Sequence, residues 1–484
     1  MTSCFLLLLS VEGEGWVGVR GRITCFSLLE KFSRFRYTRD LPSSTRGEAM
    51  IVFSNVKKLY DGTAGTGAAV HEGVDVWVDE GKIEAVKPHR ASPSGGPDVR
   101  RVDCSSLTAT PGLVDCHGHV TVLGIHDEDL AAMNGPAGLL YTERILYATL
   151  VHGGVTTVRD VGGATHVVKR LVDEGLIIGP RLRIAICMLS TTGGHADFRG
   201  TDRCHDTVSR LWPAGPGRPS SIVDGPWDCR KRVREIAACG GDLVKICTSP
   251  GVVSPSDKLE HRDFTQAEIE AICDEAAGRG MMVAAHAHSR QGIELAIDCG
   301  VHDIQHISFL NEPLAEKAYA KGCTVTPTSW ISYELPKVDD LSPFIADKVR
   351  QVTQAHAEAV RIAQASGLNM ITGTDPILPH MHGRNYMEMV SLIKDGLPPL
   401  AAWYSGTGLA AERIGQDDTG QLIPGYRADI LFSRGDVIAE PHLFDQGALV
   451  EVVKDGIGHR GYLDGIPQKT FRAGVDDLLG GQTA

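Results

Sequence analysis

The feature that most restricts what this chain can fold into is a long alternation of apolar, strand-like runs with amphipathic helical runs, between residues 109 and 418. Strands separated by helices usually pair in parallel and leave the helices outside, so eight such units predict an α/β fold, the (β/α)8 barrel. The eight strand candidates are, in order, GLVDCHGH, TTVRD, RLRIAICML, LVKICTS, MVAAHAH, DIQHIS, TVTPTS and NMITGTD.

The clearest helix between these strands spans Thr265 to Gly280. Thr265 can cap its start, and Glu268 stands three residues later, which is the spacing of a capping box. The apolar residues that follow repeat at i, i+3, i+4 and i+7, and Gly280 stands where a C-cap belongs.

The two ends of the chain have a different texture. Residues 50–108 and 419–484 contain short strand-like runs separated by turns, and they predict one small β-sandwich domain built from both chain ends. Residues 109–418 then form the barrel domain. Residues 1–49 are poorly patterned, and a clean strand begins at Met50. We expect residues 1–49 to be a disordered extension or a mis-assigned start.

Composition excludes several classes of protein. The formal net charge of −12 argues against a general nucleic-acid binder or a binder of anionic membranes. No run offers the roughly 18 apolar residues that a membrane span needs. The 12 cysteines are scattered singly, and several, such as Cys187 and Cys247, stand in apolar runs. They indicate buried thiols in a reducing compartment, so we expect a cytoplasmic protein.

Imidazole and charged side chains end several of the predicted barrel strands. A lone H-x-H pair is weak evidence for a metal, although residues two apart in a strand project to the same side. A barrel, however, gathers all strand ends around one mouth, so the separate polar ends predict one metal centre. The residues are His117 and His119 on the first strand, Lys245 on the fourth, His286 and His288 on the fifth, His306 on the sixth and Asp375 on the eighth.

This order, H-x-H followed by Lys, His, His and Asp, resembles the amidohydrolase superfamily from Met50 to about Leu463. The phrase GQLIPGYRADI, which begins at Gly420, is typical of that superfamily's return to its small domain. Within the superfamily, the chain is most similar to prolidase-like and imidazolonepropionase-like carboxypeptidases, the ochratoxinase-like group among them. The shared phrases are LSTTGGHAD, LVKICTSPGVVSPSD and VAAHAHSRQGI.

The resemblance implies a role for each matching residue. Two divalent metal ions, expected to be zinc, would share the mouth of the barrel. Lys245 would bridge them after carboxylation by CO2, because an apolar strand lowers a lysine pKa and leaves a neutral amine. By match, His117 and His119 hold the more buried ion, His286 and His306 hold the second, and Asp375 binds the buried ion and acts as acid and base.

The implied activity is hydrolysis of an amide bond by a hydroxide between the metals, in a small-molecule or dipeptide-like substrate. N-acyl amino acids and ochratoxin-type amides are included. A lactonase, a cyclic-amide hydrolase or a phosphoester hydrolase on the same centre is the alternative. A non-catalytic assembly protein is a remote alternative, because such relatives typically lose ligands that this chain keeps. Relatives are often homo-oligomers, and we expect the same here.

Two further histidines are candidates beyond the metal ligands. His288 shares a strand face with His286 and is expected to contact the substrate or support the ligands, unless it only bonds a neighbouring loop. His195 follows the third strand, and its match suggests contact with the substrate or with the developing oxyanion. The alternative is a turn histidine between glycines.

Three connections are longer than a barrel needs and are expected to form walls or lids of the substrate pocket: Arg199–Pro226, Pro327–Pro343 and Pro376–Asn385. His380, His382 and Arg384 lie in the last of them and could clamp a substrate carboxylate, but such loop residues are more often solvated. Histidines without a supporting pattern, His126 among them, are interpreted as structural or surface residues.

Overall fold

The computed structural model describes residues 50–63, 70–90, 99–126, 128–129, 133, 135–197, 214–254 and 257–470. The predicted extension, residues 1–49, lies outside these ranges, and so does part of the first long connection, residues 198–213.

The strands fall into two sets, and the middle set confirms the predicted barrel order. Every one of the eight strand candidates contains a strand, and neighbouring strands pair in parallel from β6 to β8 and from β9 to β14. The strands are β1 Met50–Tyr60, β2 Val70–Asp79, β3 Lys82–Pro88, β4 Val99–Asp103, β5 Leu107–Pro111, β6 Leu113–Gly118, β7 Val155–Asp160, β8 Arg181–Ile184, β9 Met188–Leu189, β10 Leu243–Cys247, β11 Met282–Ala287, β12 Asp303–His306, β13 Thr324–Thr326, β14 Asn369–Met370, β15 Ile430–Arg434, β16 Leu449–Lys454 and β17 Ile457–Gly458.

Backbone hydrogen bonds join the last barrel strand to the first. The Cys116 N–H of β6 donates to Thr372 O at 2.9 Å, and the Asp375 N–H donates to His117 O at 2.8 Å. The third barrel strand is broken into β8 and β9 because Ile186 between them has a left-handed backbone, with φ 68°. β8 pairs with β7 and β9 pairs with β10, so the broken strand still links both neighbours. The ring of strands is therefore a (β/α)8 barrel.

Helices follow most barrel strands and cover the sheet. Among the described residues, none of them is both long and apolar enough to cross a membrane. The helices are α1 Pro136–Val151, α2 His166–Asp173, α3 Pro226–Ala238, α4 Gln266–Ala277, α5 Arg290–Asp298, α6 Glu312–Ala320, α7 Ser329–Glu334, α8 Pro343–Ala365, α9 Met387–Asp395, α10 Pro399–Ser405 and α11 Gly408–Arg413.

Helix α4 confirms the predicted start but not the predicted end. The Glu268 carboxylate accepts hydrogen bonds from the backbone N–H of Thr265, at 2.8 Å, and from its hydroxyl, at 2.7 Å. The helix ends at Ala277 with Gly278 as C-cap. Gly280 is instead the left-handed residue of the turn that follows, with φ 65°. The earlier of the two nearby glycines therefore ends the helix.

The strands from the two chain ends form a second sheet of eight strands, in the order β17-β16-β15-β5-β1-β2-β3, with β4 on β1. A pair of strands joins the two chain ends, because β15 from the C-terminal part pairs antiparallel with β5 from the N-terminal part. The sheet has its own apolar core, which includes Phe53, Phe432 and Ile430, all fully buried. The division at residues 108 and 419 stays a prediction.

Candidate metal centre and its cavity

A cavity of about 510 Å³ opens where the carboxyl ends of the barrel strands meet. The structure brings together all eight residues that the sequence predicted for the site, although they are distant along the chain. They are His117, His119, His195, Lys245, His286, His288, His306 and Asp375. All but Asp375 are buried, and the Asp375 carboxylate is 13% exposed.

The first group of potential ligands joins the two ends of the barrel. One ligand atom each from His117, His119 and Asp375 lies within 4.8 Å of the others. The Asp375 Oδ1 is 3.5 Å from His117 Nε2 and 3.4 Å from His119 Nε2. The His119 Nδ1–H donates to the Gly162 carbonyl at 3.1 Å, which leaves Nε2 facing the carboxylate.

The second group consists of His286, His288 and His306, whose ligand atoms also lie within 4.8 Å of one another. The His306 ring is 4.4 Å from the His286 ring and 4.9 Å from the His117 ring, between centroids. The two groups are therefore adjacent. The structure places His288 as near to His306 as a ligand would be, whereas the sequence indicated only a supporting or substrate-contacting role.

Hydrogen bonds fix the ring orientations in the second group. The Nδ1 atoms of His306 and His288 lie 2.8 Å from the hydroxyls of Thr328 and Ser308, respectively. The His286 Nε2–H donates to the Pro250 carbonyl at 3.3 Å. Each ring therefore keeps its other nitrogen for the cavity, which is how histidines are held when they bind a metal.

Lys245, in the middle of β10, is 1% exposed and lines the same cavity. Its ammonium donates a hydrogen bond to the Gln305 side chain of β12. Burial lowers the pKa of Lys245 to about 8, so the amine is neutral part of the time near neutral pH. The charge of Lys245 also helps to lower the pKa values of His117 and His306, after burial itself.

His195 lies against the second group. Its ring stacks on the His286 ring at 4.0 Å between centroids. Gly251 also packs against the His195 ring, because a Cβ there would be 2.0 Å from it. The Asp263 carboxylate accepts the His195 backbone N–H at 2.8 Å, and burial raises the pKa of Asp263 to about 7.

The backbone is strained where the ligands sit. His306, Thr328 and Asp375 have φ values of 69°, 56° and 47°, in the left-handed region that side chains with a Cβ rarely adopt. Such residues cost on the order of 1–3 kcal/mol each, and they cluster at functional sites. The side chains of two of these residues, His306 and Asp375, line the cavity.

Several residues that support the site were not predicted from the sequence. The buried Asp115 carboxylate accepts the backbone N–H groups of His117 and Thr374, both at 3.1 Å, and the Asn385 amide at 2.7 Å. It therefore ties the first barrel strand to the loop after the last. A signal was present, because Asp115 is two residues before His117 and so shares its strand face.

His356 was also missed, and no sequence pattern indicates it. It lies on α8, with Nδ1 3.5 Å from the Ser308 hydroxyl and Nε2 3.0 Å from the Ser329 hydroxyl. Ser308 in turn bonds His288, so a buried chain of hydrogen bonds runs from the ligand group to α8. His126, interpreted from sequence as structural or surface, lines the rim of the cavity.

The predicted carboxylate clamp does not form at the cavity. His380 bonds Glu334 at 3.0 Å, His382 lies 3.2 Å from the Leu123 carbonyl, and Arg384 pairs with Asp445 at 2.7 Å. None of the three lines the cavity in the part of the chain that the structure describes. The predicted interpretation of these residues as loop polar groups is the one that their contacts favour.

The donor set fits divalent metal ions. Burial lowers the pKa values of His117, His286, His288 and His306 well below that of free imidazole, so these rings are neutral, as metal ligands must be. The buried His117 Nδ1 has no hydrogen-bond partner among the described residues. Neutral nitrogens and one carboxylate that converge in this way suit zinc and similar cations.

A fold and a site of this kind define a barrel hydrolase, and the comparisons with known proteins identify the family. The family model described as "Amidohydrolase family" matches residues 108–465. The chain therefore belongs to the amidohydrolase family and is a hydrolase.

Among curated proteins, ochratoxinase from Aspergillus niger is 27% identical over 364 residues, which cover 72% of this chain and 74% of the relative. Imidazolonepropionase from Paracoccus denitrificans (strain Pd 1222) is 25% identical over 384 residues, which cover 73% and 86%, respectively. Both names denote enzymes of the predicted group.

Among solved structures, a prolidase complexed with N-methylphosphonate-L-proline has a TM-score of 0.76 and 28% identity, covering 84% of this chain and 99% of that one. The structure of A. niger ochratoxinase, at 24% identity, has a TM-score of 0.74 and covers 85% and 95%, respectively. These likenesses confirm the fold, a (β/α)8 barrel with a small additional domain.

Proposed function

We propose that this protein is a binuclear metal-dependent hydrolase that cleaves an amide bond in a peptide-like or N-acyl amino-acid substrate. The observation that carries the proposal is the adjacency of two ligand groups, one with Asp375 and one of three imidazoles, beside a buried lysine. The relationship to an ochratoxinase and a prolidase supports an amide as the substrate.

Each residue would have a distinct role. His117 and His119 would hold one ion with Asp375, and His286 and His306 would hold the other, with His288 beside it. Two such cations, when bound, lower the pKa of a water between them and polarise a carbonyl. Asp375 would accept the proton of the attacking water at its Oδ and return it to the leaving nitrogen.

Lys245 would serve as the shared ligand in carboxylated form. Its neutral Nζ would attack the carbon of CO2, form an N–C bond and release one proton, which would leave a carbamate whose single negative charge is shared by two oxygens. The lowered pKa of Lys245 supports this step, because the attacking amine must be neutral. Zinc stays our prediction for the metal, and cytoplasmic location and homo-oligomerisation stay predictions too.

The test replaces Lys245 with Ala. We expect purified wild-type protein to contain about two equivalents of divalent metal and to hydrolyse N-acetyl-L-phenylalanine, and K245A to lose most of both. Metal is measured by mass spectrometry and hydrolysis by release of phenylalanine. Full activity in K245A would contradict a bridging role for Lys245.

A small-molecule rescue separates the lost charge from a damaged fold. Propionate should partly restore metal binding and activity to K245A, since it supplies the missing carboxylate, whereas propionamide of nearly the same size should not. Equal rescue by both would contradict an anionic bridge. Hydrolysis of lactones or phosphoesters instead of amides would favour the alternative activities.

A further inference from the structure

The cavity has two unlike halves. The inner half consists of the potential ligands described above, together with Lys245. The outer half is apolar, and its buried residues belong to a separate apolar core around Trp330. Four members of that core line the cavity as well: Val252, Ile331, Leu335 and Val352. The side chains of the outer half are thus already packed into a wall, so they do not have to rearrange around a ligand.

Two buried charged residues hold this wall in place. The Lys348 ammonium, 3% exposed, donates to the Gly251 carbonyl at 2.8 Å and to the Ser254 carbonyl at 2.7 Å, and it pairs with Asp257 at 3.1 Å. It therefore fastens α8 to the loop that carries Val252.

The fully buried Glu388 accepts the backbone N–H groups of Ser329 and Trp330, both at 2.8 Å, at the start of α7. It fixes the short helix that carries Ile331. A wall fixed at both sides is preorganised, so an apolar group can bind it without first ordering the loops.

The mouth of the outer half carries negative charge. Asp339 and Asp340 are exposed and line the rim. Among the described residues that line the cavity, Lys245 is the one lysine or arginine, and it lies in the inner half. A substrate group that reaches the rim therefore meets two carboxylates. The other titratable group at the rim is the imidazole of His126.

We propose that the apolar wall and the Asp339–Asp340 rim together select an amide whose distal side chain is large and apolar and carries no negative charge at its outer end. This inference rests on the proposed amide hydrolysis. It concerns the end of the substrate far from the scissile bond, so it is compatible with an α-carboxylate next to the reacting nitrogen.

The experiment uses four substrates with the same acetyl-amide bond: N-acetyl-L-alanine, N-acetyl-L-phenylalanine and the para-carboxy and para-aminomethyl derivatives of the latter. At pH 8 we expect KM for N-acetyl-L-phenylalanine to be about tenfold or more below that of N-acetyl-L-alanine. The para-carboxy derivative should have kcat/KM about fivefold below the para-aminomethyl one, because the two rim carboxylates repel the anion and attract the cation through water.

Two changes should reduce the difference in kcat/KM between the para-aminomethyl and para-carboxy derivatives. In the double variant D339N/D340N the ratio between the cationic and anionic derivatives should approach one, whereas D417N/D464N, an equal change in net charge outside the cavity, should keep it. In about 1 M salt the wild-type ratio should also fall, because exposed charges are screened. Equal kcat/KM for all derivatives in the wild type would overturn the inference and leave amide hydrolysis intact.

Binding of the same four compounds by calorimetry separates the two proposals. If none is hydrolysed but their affinities follow the expected order, the proposed function fails and the selectivity holds. If none is hydrolysed and the affinities do not differ, both fail.

Discussion

The inner and outer halves of the cavity differ in where their residues come from. Most of the inner half is supplied by the ends of barrel strands, whose position follows from sheet pairing. The outer half is supplied by α7 and the residues between it and α8, by α8 and by the loop around Val252. The barrel thus fixes the chemistry, while loops that differ in length and composition decide what reaches it. Changes in the two halves should therefore have separable effects.

The largest effect should come from the inner half. Asp375→Asn removes the group that we expect to move the proton, so kcat for N-acetyl-L-phenylalanine should fall by about 10²–10⁴-fold. KM should change far less. Steady-state kinetics and metal analysis of the same sample check this prediction. If the Asp375→Asn variant had a higher KM but an unchanged kcat, Asp375 would not take part in the chemical step.

The next effect is on stability and belongs to the outer half. Lys348→Met leaves the Asp257 carboxylate and two carbonyls buried without their donor, so the free energy of unfolding should fall by about 3–5 kcal/mol. Denaturant unfolding followed by tryptophan fluorescence measures the change. Lys321→Met, at an exposed position, is the matched control and should stay within about 0.5 kcal/mol of the wild type. Equal stability of both variants would show that Lys348 does not fasten the wall.

A smaller effect should distinguish the wall from the ligands. Leu335→Ala shortens a side chain that lines the outer half, so KM for N-acetyl-L-phenylalanine should rise by about tenfold. KM for N-acetyl-L-alanine should stay near its wild-type value, because that side chain does not reach the wall. Metal content should not change. A loss of metal in this variant would mean that the two halves are not separable.

The last effect is a pH dependence of stability in the loop that carries Asp263. Burial raises the pKa of Asp263 from 3.8 to about 7, so the folded state holds a proton that the unfolded chain releases earlier. This contribution to stability is complete below pH 4 and is lost as the pH rises to about 7.

Asp263→Asn keeps an acceptor for the His195 N–H and cannot ionise. The melting temperature of D263N minus that of the wild type should therefore increase by a few degrees between pH 5 and about 7. Above that pH the difference should stay constant. Asp464→Asn, at an exposed carboxyl, should show no such trend. Parallel curves for D263N and the wild type would exclude the titration of Asp263.

Sequence reasoning reached the inner half because its rules are local. The H-x-H pair shows its shared face by alternation, and the strand that carries Lys245 shows its burial by its neighbours. The barrel order then assembles the ends without any knowledge of loops. The same reasoning identified the start of α4, since a capping box needs only residues close in the chain.

The length of the connection Pro327–Pro343 predicted a wall of the pocket, and residues of that connection do line the cavity. The sequence could not predict the residues that hold this wall in place, because these depend on contacts between distant segments. Glu388 caps α7 from 58 residues away, and His356 reaches Ser308 across 48 residues. Asp257, the partner of Lys348, is also distant from it along the sequence. Nothing in the sequence near these residues distinguishes them from other buried polar side chains. His288 shows the same limit, since its distance from His306 follows from how two strand ends bend.

The seam between β6 and the residues after β14 has a consequence for biosynthesis. The hydrogen bond from the Asp375 N–H to His117 O closes the ring of strands, and the same two residues supply ligand atoms to one group. A ribosome releases the first of them long before the second. A nascent chain therefore cannot assemble the first group until nearly the whole barrel has emerged, so an ion that needs all three ligands would bind only to an almost complete barrel.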